Sequence, residues 1–343
     1  MPTSLKDPNL QNFVPQKVSP KTIGIIGGKG AMGHWLAEQF HADEEDYTVR
    51  VSGEDADIGM EGRTLTRVNE GIMRDSDVIV FSVPIQTLQE GVQHIVGTGN
   101  LRGMRGKLLM DLSSTKTAPL QTLSEVPGTS VIGLHPMFGP SVKDLKGQNI
   151  FMCPVYPDGD KYPVLYQRLE KWIEWVEAFW KKRKANLQLI TPEKHDKIVT
   201  YVQFAVLESV MLYASVLKEL GADLSMIRNI ATPNSHMMTG LVGRMLRQHT
   251  TGVYANLAAE NPNNKAIAES FAKAAQDVLQ RIEQGGTAII QELLRELAGF
   301  QDPQFNKEGF EDTVLIQQAL AQRSFVERAL KNRERIETML GEE

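Results

Sequence analysis

The order of segments predicts an α/β chain, a doubly wound sheet followed by an all-helical domain. Three observations predict it. Apolar runs of strand character alternate with helix-forming segments as far as Thr191. The first run opens onto Gly28, Gly30 and Gly33, spaced G-x-G-x-x-G and followed at once by a helical segment. After Pro192 the strand signals nearly vanish and helical periodicity takes over.

The 343 residues suit about two domains, with apolar content of 41% and charged content of 23%. The expected division is a loose arm over 1–20, a dinucleotide-binding domain over 21–192 and a helical domain over 193–343. A net charge of −5 leaves no electrostatic footprint for nucleic acid. The single cysteine, Cys153, excludes an intrachain disulfide and a cysteine-rich metal site, and fits a reducing cytoplasm. Met1 to Pro20 lacks the apolar core of a signal peptide. Val199 to Leu220 is the most apolar helical stretch, but Gln203, Glu208 and Lys218 interrupt it. It is expected to be a buried helix, not a membrane span.

Taken in order, Ile23, Ile25 and Ile26 form the first strand. In the glycine cluster, Gly28 is expected to make the tight turn, Gly30 to admit a pyrophosphate and Gly33 to pack helix on strand. The amides around Ala31 and Met32 then face the anion. A purely structural glycine turn is the plain alternative. Tyr47 to Val51 reads as the second strand. Beyond it, Glu54 stands where an acidic residue takes the ribose hydroxyls, which favours NAD without excluding NADP. A solvated loop would hold the same residues.

Asp77 to Pro84 is an apolar strand whose end, Ser82, Val83 and Pro84, lies at the ligand edge of a parallel sheet. Leu108 to Leu112 is followed by the polar loop Ser113 to Lys116 at that edge. Ser130 to Leu134 is followed by His135-Pro136-Met137-Phe138-Gly139-Pro140, a proline-stiffened loop that presents a histidine. A last α/β unit runs from Ile150 to Thr191, its helix carrying Leu165, Leu169, Trp172, Ile173, Val176 and Phe179 on one face. The run Lys181 to Lys184 reads as a solvated helix end complementing the dipole.

Beyond Pro192, helices are expected over 193–220, 224–246, 264–282, 287–298 and 312–340, punctuated by Gly221, Gly285-Gly286 and Pro303. The first is apolar on nearly every face and needs cover all round. A homodimer would supply it; intrachain cover is the bland alternative. The histidines form no metal-type cluster with carboxylates, so no metal is expected.

Several stretches occur together in order: Gly27 to Gly33, Phe81-Ser82-Val83-Pro84-Ile85, Asp111 to Lys116 and Leu134 to Pro140. Glu193-Lys194-His195-Asp196, Gln203 and Val242-Gly243-Arg244 come after them. In this the chain resembles the prephenate dehydrogenase family, over about Lys21 to Ala298. The resemblance implies a Rossmann-type domain joined to an all-helical dimerisation domain. It further implies oxidative decarboxylation of prephenate to 4-hydroxyphenylpyruvate, with hydride passing to NAD(P), in tyrosine biosynthesis. The same chemistry on arogenate or 4-amino-4-deoxyprephenate is one alternative. A β-hydroxy-acid dehydrogenase and a non-catalytic dinucleotide sensor are others.

The resemblance also assigns roles. His135 takes the hydroxyl proton, for which an unperturbed pKa near ~6.5 is well matched. A structural histidine bonded to backbone is the plain reading of the same residue. Ser114 hydrogen-bonds near it, or is a turn serine. His195 and Gln203, two turns apart on one helix, and Arg244 bind substrate, the arginine because its guanidinium pairs bidentately with a carboxylate. Lys116 adds positive charge, or is a surface lysine.

Overall fold

The computed structural model describes residues 18–52, 65–97, 102–247, 251–300 and 303–340. The chain divides into two compact units, the first ending at Thr200 and the second starting at Tyr201.

The first unit is built on a seven-stranded sheet. Its strands are β1 (Thr22–Ile26), β2 (Thr48–Ser52), β3 (Val78–Phe81), β4 (Leu108–Asp111), β5 (Ser130–Pro136), β6 (Asn149–Pro154) and β7 (Asn186–Leu189), in the order β2-β1-β3-β4-β5-β6-β7. β3, β4 and β5 are buried along their whole length, as strands covered on both faces must be. Alternate residues feed two cores. Ile23, Ile25, Val78, Val80, Leu108 and Met110 pack with helices α1 (Ala31–His41) and α5 (Pro163–Lys182). Ile26, Ile79, Phe81 and Leu109 pack on the other face with α2 (Leu65–Asp75), α3 (Ile85–Gly97) and α4 (Thr117–Leu123). The doubly wound arrangement therefore results from period-two strands joined by helices.

Two details differ from the sequence reading. β6 runs antiparallel to β5, while every other neighbouring pair is parallel. The connection 137–148 contains no helix to carry the chain back across the sheet, so the strand returns beside its neighbour. That pairing also lengthens β5: His135 sits opposite Phe151 and Pro136 opposite Ile150. His135 is thus a strand residue, not a loop residue.

The basic run ending α5 is only partly solvated. The Arg183 guanidinium donates to the carbonyls of Phe179 and Gln39, pairs with Asp43 at 2.9 Å and lies 3.7 Å above the Phe179 ring. It fastens α5 to the end of α1.

Helix α6 (Pro192–Val199) closes the first unit, with Thr191 as its N-cap and Pro192 in its first turn. A π-helix (Thr200–Phe204) and α7 (Ala205–Glu219) come next, so the long helix expected over 193–220 is interrupted by a wide turn. Tyr201, Val202, Val206, Leu212 and Val216 are exposed on it, against buried Leu207 and Val210. By length and composition alone, Pro192–Glu219 is apolar enough to cross a membrane. The full cover expected for this helix is not present within the described residues.

The rest of the second unit is helical: α8 (Leu224–Asn229), α9 (Pro233–Met245), α10 (Thr251–Glu260), α11 (Asn264–Gln284), α12 (Thr287–Gly299) and α13 (Pro303–Leu340). Pro233 splits the helix expected over 224–246, with the Thr232 hydroxyl capping the new start. The last helix begins at Pro303, nine residues before its expected start at 312, because a proline in the first turn opens a helix as readily as it ends one.

Candidate active site

Four strand ends carry the expected site residues. Ile26 of β1, Phe81 of β3, Asp111 of β4 and Gly133 of β5 stand in one row across the sheet. The residues that succeed each of them lie at the carboxyl edge of the parallel strands.

At β1 the chain turns through Gly27 and Gly28 into α1. The tight turn is at Gly27, whose φ of 79° lies in the left-handed region; a Cβ there would come 2.4 Å from the Ser82 carbonyl. The turn was expected at Gly28, which instead packs on Val51. Gly33 has the expected role: a Cβ would stand 2.5 Å from the Gly27 carbonyl and 2.7 Å from Gly28. Gly30 is the N-cap of α1; no side chain caps the helix and no acidic residue lies in its first turn. Ala31 and Met32 supply that turn, with positive amide ends and no carboxylate of their own to meet. Ser82 and Val83 pack directly against Gly27, so the end of β3 forms one wall of the turn and Pro84 leads on into α3. Glu54 lies outside the described residues.

At β4 the loop to α4 holds a buried ion pair. Lys116 and Asp111 both have no exposed side-chain surface, and the Lys116 ammonium donates to the Asp111 carboxylate. Ser113 closes the same loop, donating from its backbone and hydroxyl to Asp111. Room for the lysine stem comes from Gly133, where a Cβ would stand 2.6 Å from Lys116 Cδ. Lys116 therefore does not face a substrate, nor is it a surface lysine; it is neutralised inside. Ser114 is half-buried between these groups.

At β5 the site acquires a second layer. His135 is 4% exposed, and its Nδ1 lies 2.9 Å from Nε2 of His195 in α6. His195 is completely buried, and its other nitrogen, Nδ1, lies 2.9 Å from Asp196 Oδ1. Asp196 in turn accepts the amides of Lys116 and Thr117 at 2.7 and 2.9 Å, at the N-terminus of α4. The Phe151 ring meets His195 edge-on at 5.4 Å. Both ring nitrogens of His195 are engaged by protein, so it is not the substrate contact the sequence suggested.

These contacts fix the protonation states. Burial raises the Asp196 carboxyl, but the donors His195, Thr117 and Lys116 outweigh it and hold the pKa below the usual carboxylate value. A carboxylate at Asp196 makes His195 Nδ1 the donor and leaves its Nε2 a lone pair. His135 Nδ1 then donates to that lone pair. Burial above all, then His195 and Lys116, holds His135 well below the ordinary histidine value, so the ring is neutral at neutral pH. Two strands lie between β1 and β5, which puts His135 about 14 Å along the edge from the glycine turn.

This geometry has relatives. A family model described as prephenate dehydrogenase, nucleotide-binding domain, matches residues 44–189. The sheet unit is similar to that nucleotide-binding domain over those residues. The match starts beyond the glycine turn, whose reading rests on its own geometry. A protein of Methanocaldococcus jannaschii named probable arogenate/prephenate dehydrogenase is 29% identical over 284 residues, 81% of this chain. This chain spans 60% of that relative's length. The 4-amino-4-deoxyprephenate dehydrogenase of Streptomyces pristinaespiralis is 27% identical, over 80% of this chain and 89% of its own. In fold, the chain matches prephenate dehydrogenase from Aquifex aeolicus, solved with hydroxyphenyl propionate and NAD+. The TM-score is 0.59 at 15% identity, covering 87% of this chain and 99% of that one.

Of the remaining residues assigned by analogy with the prephenate dehydrogenase family, Gln203 lies half-buried in the π-helix and Arg244 is exposed in the last turn of α9. Both belong to the second unit. Sequence reasoning missed Asp196 as a site residue, although Lys-His-Asp stood beside the histidine it selected. Among the described residues, no group of three or more His, Cys, Asp or Glu side chains is placed to hold a metal ion.

Proposed function

We propose that the chain oxidises and decarboxylates prephenate to 4-hydroxyphenylpyruvate, with NAD as hydride acceptor, in the route to tyrosine. One observation carries this reading. His135, on the sheet edge that bears the glycine turn, is buried and held through Nδ1 against His195, which Asp196 holds in turn. The glycine cradle fits a dinucleotide: a Cβ at position 27 or 33 would fill it, and the first turn of α1 carries no acid to repel a pyrophosphate. When bound, the nicotinamide accepts the hydride that leaves C4 of the substrate ring.

The protein's own part is the proton and the placement. His135 takes the C4 hydroxyl proton as that oxygen becomes a carbonyl, and carbon dioxide leaves as the ring becomes aromatic. Ser114 orients the hydroxyl or the imidazole. Arg244, with Gln203, holds a substrate carboxylate through paired guanidinium hydrogen bonds. A second copy of the chain covers the apolar face of Pro192–Glu219, making the enzyme a homodimer. Its one cysteine, Cys153, is buried, consistent with a cytoplasmic enzyme.

The names of the relatives favour a second reading, the same chemistry on arogenate or 4-amino-4-deoxyprephenate, which differ in the side-chain amine or the C4 substituent. Absorbance of the reduced cofactor, followed with each of the three substrates against NAD and NADP, separates these readings. Turnover is expected with prephenate and NAD. Turnover with none of the pairs would leave a dinucleotide-sensing protein.

A further inference from the structure

We infer that residues 137–142, the loop that follows β5, wall the crevice at the sheet edge on its α1 side, and that Trp35 is the positioning residue that holds this wall against the nicotinamide half of the dinucleotide. The inference rests on the proposed dinucleotide reading and deepens it, because it assigns a residue which that reading does not use.

Trp35 joins three elements. It lies in the second turn of α1 and is 3% exposed. Its ring stacks on that of Trp180 in α5, with centroids 6.0 Å apart and planes 7° from parallel. From the loop, the Phe138 ring meets it edge-on at 5.4 Å. The indole Nε1–H donates to the Val142 carbonyl at 3.3 Å. A buried indole N–H needs an acceptor, and this one is supplied by the loop, 107 residues along the chain. The Val142 amide donates to the Gly139 carbonyl at 3.2 Å, which folds the loop back on itself. Phe138 and Val142 pack on the same core as Met32, in the first turn of α1.

Topology gives this contact its place. The loop leaves β5 after Pro136 and reaches the helix that starts at the glycine turn on β1. β3 and β4 lie between those strands, so the loop passes the carboxyl ends of both, a span of about 14 Å. With the pyrophosphate at the glycine turn, the adenosine ribose lies at the end of β2. The other half of the dinucleotide then runs towards β3, β4 and β5. That half carries the nicotinamide, which must come near His135 for the proposed reaction, and its course follows the loop. The segment 137–148 contains no helix, so its attachments to the body decide where it stands. A wall fixed before the ligand arrives spares binding the cost of ordering it.

Calorimetric titration with NADH and with ADP-ribose, which has the pyrophosphate and both riboses but no nicotinamide, tests the assignment. Trp35→Phe keeps a ring for Trp180 and Phe138 and removes the Nε1–H. Its affinity for NADH is expected to fall about 3- to 10-fold, the size of one hydrogen bond, with that for ADP-ribose changed less than about twofold. Phe138→Ala, made in the loop itself, is expected to show the same split and decides the matter if Trp35→Phe does not fold. Equal losses for both ligands would make Trp35 a general support of the unit, and unchanged affinity for both would leave the loop without a part in binding; either result overturns the inference. Failure of the unsubstituted protein to bind either ligand would end the dinucleotide reading and the inference with it. Binding of both without turnover on any of the three substrates would end the dehydrogenase reading alone, and the split between the ligands would still decide the role of Trp35.

Discussion

Replacing Lys116 by methionine isolates the buried ion pair beneath the site. The two side chains expose no surface, so Lys116→Met leaves the Asp111 carboxylate in the interior with only Ser113 to satisfy it. Breaking a buried pair from one side costs about 3–5 kcal/mol, because a bare charge is left behind. Whole-protein stability is of the order of 5–15 kcal/mol, so the loss is a large share of it. For a unit of this size, each kcal/mol moves Tm by about 2–4 °C, giving a fall of about 6–20 °C. Circular dichroism melting of the variant reads that fall directly. Lys116→Met combined with Asp111→Asn removes both charges, and is expected to be more stable than Lys116→Met alone. Packing then remains as the main loss, and the coupling between the two substitutions measures the pair. A Lys116→Met variant that melts within a degree or two of the parent would refute the cost assigned to the bare carboxylate, as would a double variant less stable than the single one.

Other expectations concern the chemistry. His135→Asn should keep dinucleotide binding, read by fluorescence titration with NADH, while losing about 10²–10⁴-fold in kcat; near-normal turnover would remove His135 from its role. Arg244→Ala removes charge-assisted hydrogen bonds worth about 1.5–3 kcal/mol, so KM for prephenate should rise about 10- to 150-fold with KM for NAD little changed. Equal increases in both would reject the assignment. The pH dependence has a definite sign. Burial, then His195 and Lys116, depresses the His135 pKa below its ordinary value of 6.5. The unfolded chain therefore binds the proton that the folded site refuses. The stability due to neutral His135 is full above the unfolded pKa and is lost as pH falls below it. The acid limb of kcat/KM should likewise lie below pH 6.5. A limb above that value would mean that another group titrates.

The sheet was legible because its physics is local. Strands such as Val78–Phe81 and Leu108–Asp111 are apolar on both faces, helices separate them, and a glycine cluster marks the first crossing. The antiparallel return of β6 was not legible, since no residue of Asn149–Pro154 records which way its neighbour runs. The end of β5 was misjudged for the same reason: Pro136 looks like a loop residue, yet it tolerates the strand because the next hydrogen bond is donated by Met137 to Asn149. Gly27 escaped notice because the motif spacing draws attention to Gly28, whereas φ decides where the turn falls. The surroundings of Lys116 were the least visible. Its partner Asp111 lies five residues away, but the amide contact with Asp196 spans eighty, and no periodicity encodes a pairing at that distance. Arg183 shows the same limit, since a basic run reads as solvated until a distant carbonyl and carboxylate are brought beside it.

A count of buried charge explains why these distant residues belong together. Asp111 and Asp196 carry two negative charges into the interior and Lys116 returns one positive, so with both histidines neutral the cluster holds one net negative charge. Such an excess is unfavourable to bury unless hydrogen bonds spread it, which the amides of Lys116 and Thr117 do at the positive end of α4. One arriving proton brings the cluster to neutrality. A single positive charge would balance the cluster, and the reaction proposed here releases a single proton. Without Asp196 that proton would share its surroundings with Lys116, whose own charge is already matched by Asp111. Without Lys116 the resting site would hold two carboxylates, and His135 would be protonated too readily to serve as a base. The buried charges are thus one short of balance, and the aspartate immediately after His195 sets that balance.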